Sequence, residues 1–407
     1  MNRKQFALLL FLLVVLGLGG LMIYHRQNDL AQAGDKELGK KVLGDFPFND
    51  VALIQLKQGD STVNLEKTND LWRVRERKDY PANYSDISDF LLKAKDLKIV
   101  QSDTVGPSQL PRLGLVPGQG TNAALVVDFR DKDGKPVRTL LLGKKHMQKS
   151  NRPSPFGEMG DGGYPDGRYV KPGPDAATVD LVSESFANIE PKPEQWLNKD
   201  FFKVEKVRSI GVSFPAATNS WKLSRDTENG EWKLSDAKTG EQLDSTKTSG
   251  LASSLSSPSF NDVDIHSTAT QSGLDKPTVV TLETFDNFTY LLKVGTKTND
   301  NYPVSMMVSA DLPKQRTPGK DEKPDDKTRL DKEFADNQKK LQDKLSQEKK
   351  YENWVYLVSN WTLDPLLKER GQLLVDKKEK KDEKAAASTE APEPTTQAAI
   401  SPESKAK

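Results

Sequence analysis

Apolar and polar residues alternate over 51–56, 63–65 and 221–223. The stretches between carry turn formers, namely Gly59-Asp60, Thr68-Asn69-Asp70 and Glu228-Asn229-Gly230. A period of two places one face of a strand inside and the other in water, so these segments predict antiparallel hairpins. Asp131-Lys132-Asp133-Gly134, between the apolar runs 124–129 and 137–142, reads as another hairpin turn. Its Asp-Gly step supplies the positive φ that tight turns need. The same D-x-D-G could open a calcium loop, but the remaining oxygen ligands of such a loop do not follow. Ile87, Phe90, Leu91, Ala94 and Leu97 recur at three-to-four spacing and predict an amphipathic helix capped by Ser85. Leu251 and Leu255 form a weaker counterpart in a Ser-rich stretch. Ser183 and Ser359 each follow a short apolar strand and precede a predicted helix, one containing Phe186 and Ile189, the other Trp361, Leu366 and Leu367. The fold class is therefore α+β, mainly antiparallel β.

The same pattern occurs twice. Val51, Ile54 and Leu56 match Val207, Ile210 and Val212, and Leu71-Trp72-Arg73-Val74 matches Glu231-Trp232-Lys233-Leu234. Further on, Gly114-Leu115 and Pro117 correspond to Gly273-Leu274 and Pro277, and the strand ending at Gly143 to the strand ending at Gly295. Val179, Leu181, Val182 and Ser183 correspond to Val355, Leu357, Val358 and Ser359. Order is kept throughout, which predicts two tandem copies of a β-meander, helix and hairpin domain. The matched Trp72 and Trp232 are expected in a cross-strand aromatic core.

Residues 6–24 carry no charge. At ~1.5 Å per helical residue they reach about the ~30 Å of a bilayer core, so a single transmembrane helix is expected. Ala31-Gln32-Ala33 offers the alternative of a cleaved signal peptide. Lys and Arg on the two flanks do not settle orientation, but the five-residue leader favours a cytoplasmic N-terminus and an extracytoplasmic bulk. The expected layout is a leader at 1–5, the membrane helix at 6–24, a linker at 25–45, repeat domains at 46–204 and 205–375, and a disordered tail at 376–407. Residues 314–352 form a charged helical insertion in the second domain, with Leu330, Phe334, Leu341 and Leu345 as a narrow apolar seam. That seam is a candidate interaction surface, while the more ordinary reading is that it packs on its own domain.

Composition narrows the chemistry. The 407 residues are 35% hydrophobic and 29% charged, below and above ordinary globular values respectively, which fits polar attachments around two cores. Sixty Lys plus Arg against 59 Asp plus Glu leave a net charge of +1, and no field that would hold a nucleic acid. With Cys 0 there is no disulfide, thiolate ligand or Cys nucleophile, and three His leave little for general-base work. The Gly-rich 157–163 lacks the Lys-Ser/Thr ending of a phosphate-binding loop. Asp262, Asp264 and His266 would share one strand face and form a weak candidate divalent-metal cluster. The more ordinary reading of these three is the solvent face of an edge strand. No catalytic or cofactor-binding residue and no cofactor is assigned.

The apolar N-terminus, the V-x-x-I-x-L strand (51–56), the Trp-Arg/Lys hairpin (72–73 and 232–233), the Gly-Leu turn (114–115 and 273–274) and the strand ending in Gly143 or Gly295 together resemble the bacterial family DUF4340. The resemblance implies a membrane-anchored protein associated with ABC-type export or gliding-motility-like systems, and it brings no catalytic residues. The expected function is a non-enzymatic accessory or scaffold component of an ABC-transporter-like complex in the bacterial inner membrane. Its expected partners are the membrane and membrane-complex proteins such as an ABC-type permease; the oligomeric state is left open. A periplasmic glycan- or solute-binding module is the alternative, and a metal-dependent hydrolase resting on Asp262, Asp264 and His266 a third.

Overall fold

The alternating segments build two antiparallel sheets in a computed structural model that describes residues 16–21, 37–120, 123–148, 164–319 and 322–375. The chain divides between Asp200 and Phe201. This is slightly earlier than the sequence suggested, because Phe202 and Val204 are buried in the second unit and Phe201 packs its ring on Phe260 and Tyr356 there.

The first unit holds β1 (Leu53–Gln58), β2 (Ser61–Thr68), β3 (Leu71–Val74), β4 (Tyr80–Pro81), β5 (Ile99–Thr104), β6 (Leu125–Arg130), β7 (Pro136–Gln148), β8 (Tyr164–Lys171) and β9 (Thr178–Val182), ordered β4-β3-β2-β1-β6-β7-β8-β9-β5. Asn69 and Asp70, both at positive φ (51° and 61°), turn β2 into β3 with the twist that hairpins favour. Asp131 closes the β6–β7 turn as expected, its Oδ1 accepting from the Asp133 and Lys135 amides at 2.9 Å each. Ile54, Leu56, Val63 and Leu65 lose essentially all exposure on one face of the sheet. Each such side chain contributes roughly 1.5–3 kcal/mol by leaving water.

Helix α1 (Tyr84–Lys95) buries Ile87, Phe90, Leu91 and Ala94, the face its spacing predicts. Its cap differs from the expectation: Asn83 rather than Ser85 precedes the helix, and the Asn83 Oδ1 accepts from the Ser85 amide at 3.1 Å. Asn83 has the extended backbone a cap requires, whereas Ser85 is already helical. The last residues before the first sheet also pack. Val42 and Leu43 are buried, and the Val42 amide donates to the Leu97 carbonyl at 2.9 Å.

The helix expected after Ser183 does not form. Phe186 takes a left-handed backbone (φ 47°), and no regular element follows until the 3-10 turn Pro193–Trp196. The Phe186 ring packs edge-on against Phe90 at 5.6 Å, a packing gain that outweighs the local preference. Pro191 and Pro193 already disfavour helical backbone at the residues before them.

The second unit holds β10 (Val207–Ser213), β11 (Trp221–Ser224), β12 (Lys233–Leu234), β13 (Phe260–Val263), β14 (Thr278–Thr284), β15 (Phe288–Val294), β16 (Asn301–Ala310) and β17 (Val355–Ser359). Their order, β12-β11-β10-β14-β15-β16-β17-β13, follows the first sheet from β3 to β5 strand for strand. Two expectations shift. Trp72 is buried in β3, but Trp232 precedes β12, half-buried beneath the Arg225 guanidinium at 4.8 Å, so a cation–π contact replaces the cross-strand core there. After β17 the expected helix is reduced to one α-helical turn, Asn360–Leu363, capped by Ser359 and leaving Trp361 87% exposed, with a 3-10 turn following at Arg370–Leu373.

Two further one-turn helices, α2 (Leu110–Leu113) and α3 (Ala269–Ser272), end in Gly114 and Gly273, both left-handed. The charged insertion is helix α4 (Pro324–Glu348), whose seam residues Leu330, Phe334, Leu341 and Leu345 are half-buried. Its last turn is tied to the second unit by Glu348, whose Oε1 accepts from the Lys203 amide at 3.1 Å. Of the expected membrane segment, Leu16–Leu21 is helical and the rest lies outside the described residues, as do the Gly-rich 157–163 and the tail at 376–407. No helix among the described residues is long and apolar enough to cross a membrane.

Candidate functional site

The irregular segment from Glu184 to Trp196 folds against α1 and leaves a concavity in the first unit. Phe90 from α1, Phe186 and Trp196 line it, with ring centroids 5.6 Å apart for Phe90 and Phe186 and 6.2 Å for Phe90 and Trp196. The Trp196 Nε1 donates to the Glu190 carbonyl at 3.0 Å, so the indole is oriented by the same segment it supports. The concavity measures about 620 Å³, and Asp86, Asp89 and Glu184 stand among its walls. Lys93 offsets this charge in part, its Nζ lying 3.5 Å from Glu184. The three rings are almost wholly buried and pack on one another, so what the concavity presents is its carboxylates, Asp86 and Asp89 being exposed on α1, and these suit a cationic group such as a Lys or Arg side chain. Glu190 has its carboxyl held below the usual range, chiefly by a hydrogen bond from Lys192.

The charged groups buried in the second unit are satisfied internally. Arg370 donates to Asp236 and Glu241 at 2.7 Å each and to the Asp236 carbonyl at 2.8 Å. The Arg370 hydrogen bond is the main cause that brings the Glu241 carboxyl down to about 2. The Tyr290 hydroxyl donates to Glu348 Oε2 at 2.7 Å. Burial raises both groups, and the tyrosine bond opposes that rise at Glu348.

Asp262, Asp264 and His266 do not converge. Asp262 lies within β13, where its Oδ1 accepts from the Val263 amide at 2.8 Å. Asp264 lies past the strand, and its Oδ1 accepts from the His266 and Ser267 amides at 3.1 and 3.0 Å. Burial pushes the Asp264 carboxyl up, but these amides prevail and hold it below its usual value. The carboxylate therefore closes a turn in place of facing a cation, and no group of three His, Cys, Asp or Glu among the described residues could hold a metal. Another pairing that spacing did not reveal is His146 with Asp166, at 2.6 Å across β7 and β8. The segment from 184 to 196 also escaped the sequence reading, because a helix was expected there. The prolines at 191 and 193 were the available signal.

No curated protein and no solved structure matches the chain. Residues 158–277 run from β8 through the 184–196 segment into the opening strands of the second unit. They match the sequence model of the family described as Domain of unknown function (DUF4340), so over that stretch the resemblance read from the motifs is a family match.

Proposed function

We propose that this chain is a single-pass, membrane-anchored accessory subunit with its bulk outside the cytoplasm. In this reading it is a non-enzymatic scaffold of an ABC-transporter-like envelope complex and binds its partner through the first unit. The observation that carries this reading is the concavity between α1 and the 184–196 segment, walled by Asp86, Asp89 and Glu184. Such a surface suits a basic segment of a partner protein, because its cationic heads meet the exposed carboxylates of the wall. The uncharged 6–24 stretch supports the anchor. The shared strand order of the two sheets supports an origin as two tandem copies of one domain. The test is crosslinking in intact membranes, with mass spectrometry of the captured protein, comparing the parent with Asp89→Lys. Permease or ATPase-linked peptides recovered with the parent and depleted with the variant are expected. Recovery of the parent without a partner would overturn the reading.

A further inference from the structure

Arg168 on β8 is a buried cation whose hydrogen-bond partners among the described residues are all backbone carbonyls. The residue is 8% exposed. Its Nε donates to the Gly143 carbonyl at 2.8 Å, and its Nη1 to the carbonyls of Phe186 at 3.1 Å and Ser185 at 3.5 Å. Among the described residues it makes no hydrogen bond to a carboxylate. Burial draws its pKa down to about 10, with Glu190 opposing, so the guanidinium remains charged at neutral pH. A buried charge is ordinarily matched by an opposite one, because carbonyl dipoles alone replace only part of its hydration.

Arg168 lines a cavity of about 360 Å³ together with Lys145, Lys192, Gln58 and Ser61. One carboxylate, Glu190, shares this lining. It is already engaged, 2.6 Å from Lys192 Nζ and accepting from Gln195 Nε2 at 3.3 Å. Among the described residues Lys145 makes only a long hydrogen bond, 3.4 Å, to the Ala187 carbonyl. Lys145 and Arg168 are therefore cations in excess within one small concavity that also carries the neutral donors of Gln58 and Ser61.

The second unit shows that the fold itself does not need this arginine. Arg168 stands opposite Val182 in the β8–β9 ladder, and Tyr302 stands opposite Val358 in the β16–β17 ladder. Tyr302 donates to Asp364 at 2.8 Å, and Lys297 lies 3.8 Å from the same carboxylate. At that sheet position the second unit closes its charges internally, and the first unit does not.

We propose that the Arg168, Lys145 and Lys192 cavity binds the oxyanion group, carboxylate or phosphate, of a small solute. This cavity adjoins the acidic concavity, sharing Ala187, Ile189 and Glu190 with it, but takes the opposite class of ligand, so anion binding and partner crosslinking can each fail without the other. The Nε and Nη1 of Arg168 are held by carbonyls, which leaves its Nη2 to donate to such a group, and the lysines add point charges around it.

The test is isothermal titration of the full-length chain in detergent with inorganic phosphate and, separately, with succinate, at constant ionic strength. Saturable binding of phosphate alone would identify a phosphate-bearing ligand, and of succinate alone a carboxylate. Because Arg168 also holds the Ser185 and Phe186 carbonyls, the variants are Lys145→Met and Glu190→Gln, which lie outside the core. Lys145→Met is expected to weaken binding about tenfold, and Glu190→Gln, by removing the competing carboxylate, to strengthen it. Absence of saturable binding for both anions, or equal affinity in the parent and both variants, would overturn the proposal.

Discussion

The carbonyl oxygen of Leu113 occupies the place a side chain on Gly143 would need: a Cβ built there would stand 2.5 Å from it. In the second unit the Ser272 carbonyl lies against Gly295 in the same way, and the Thr296 amide donates to that carbonyl at 2.8 Å. The Gly-Leu turn and the glycine after the Leu-rich run, inside β7 in the first unit and just past β15 in the second, are thus two halves of one contact. In each unit a one-turn helix, stopped by a left-handed glycine, is pressed onto the strand by the absence of a side chain. The motifs that carry the family resemblance serve packing here.

Gly143→Ala is therefore expected to destabilise the first unit by about 1–3 kcal/mol, since the methyl group would have to displace backbone. Gly211→Ala is the control, because a Cβ there meets nothing closer than 4.0 Å. Denaturant unfolding followed by tryptophan fluorescence would compare them. Equal midpoints would show that the strand accommodates the methyl group.

Glu348 supplies a pH dependence with a defined sign. Burial raises its folded pKa, so the folded chain keeps a proton that the unfolded chain has released. Stability from this group is present below the unfolded value of 4.5 and is lost as pH rises through the raised folded one. Tyr290→Phe removes a donor that lowers this pKa, and should make the loss extend to higher pH. At neutral pH the variant should be about 1–3 kcal/mol less stable, the cost of a buried acceptor losing its partner. Denaturant midpoints across a pH series would check both effects, and parallel curves for parent and variant would contradict them.

Glu241 behaves in the opposite sense. Its folded pKa is lowered from 4.5 to about 2, chiefly by Arg370, so its contribution is complete above 4.5 and lost as pH falls towards 2. Glu241→Gln should lower the midpoint of the second unit at neutral pH and flatten its acid limb. Circular dichroism during acid titration would report the difference, and an unchanged acid limb would remove Glu241 as its cause.

Asp89→Lys should leave unfolding within about 0.5 kcal/mol of the parent, since Asp89 is exposed on α1. A loss of partner crosslinks without a change in stability would place the effect on the surface. A matching loss of stability would place it on folding.

Local chemistry alone determined several elements of this protein. The period-two runs became β1, β2, β10 and β11, the Asp131 to Gly134 turn formed on its own side chain and glycine, and Ile87, Phe90, Leu91 and Ala94 face inward from α1. Each depends on residues within a few positions, where steric preference and the spacing of apolar groups suffice. Tertiary structure decided which strand edges meet, because alternation marks a strand without naming its partner. β6 inserts beside β1, and β5 closes against β9, where Ser102 donates to the buried Asp180 across 78 residues of sequence. It also decided the segment after Ser183, where Phe90 packing and the Arg168 guanidinium claim groups that a helix would have used. Asp264 became a turn former through amides that only its folded backbone presents. Arg168 was one cation among 60 in the sequence; burial by strands and loops distant along the chain made it a site.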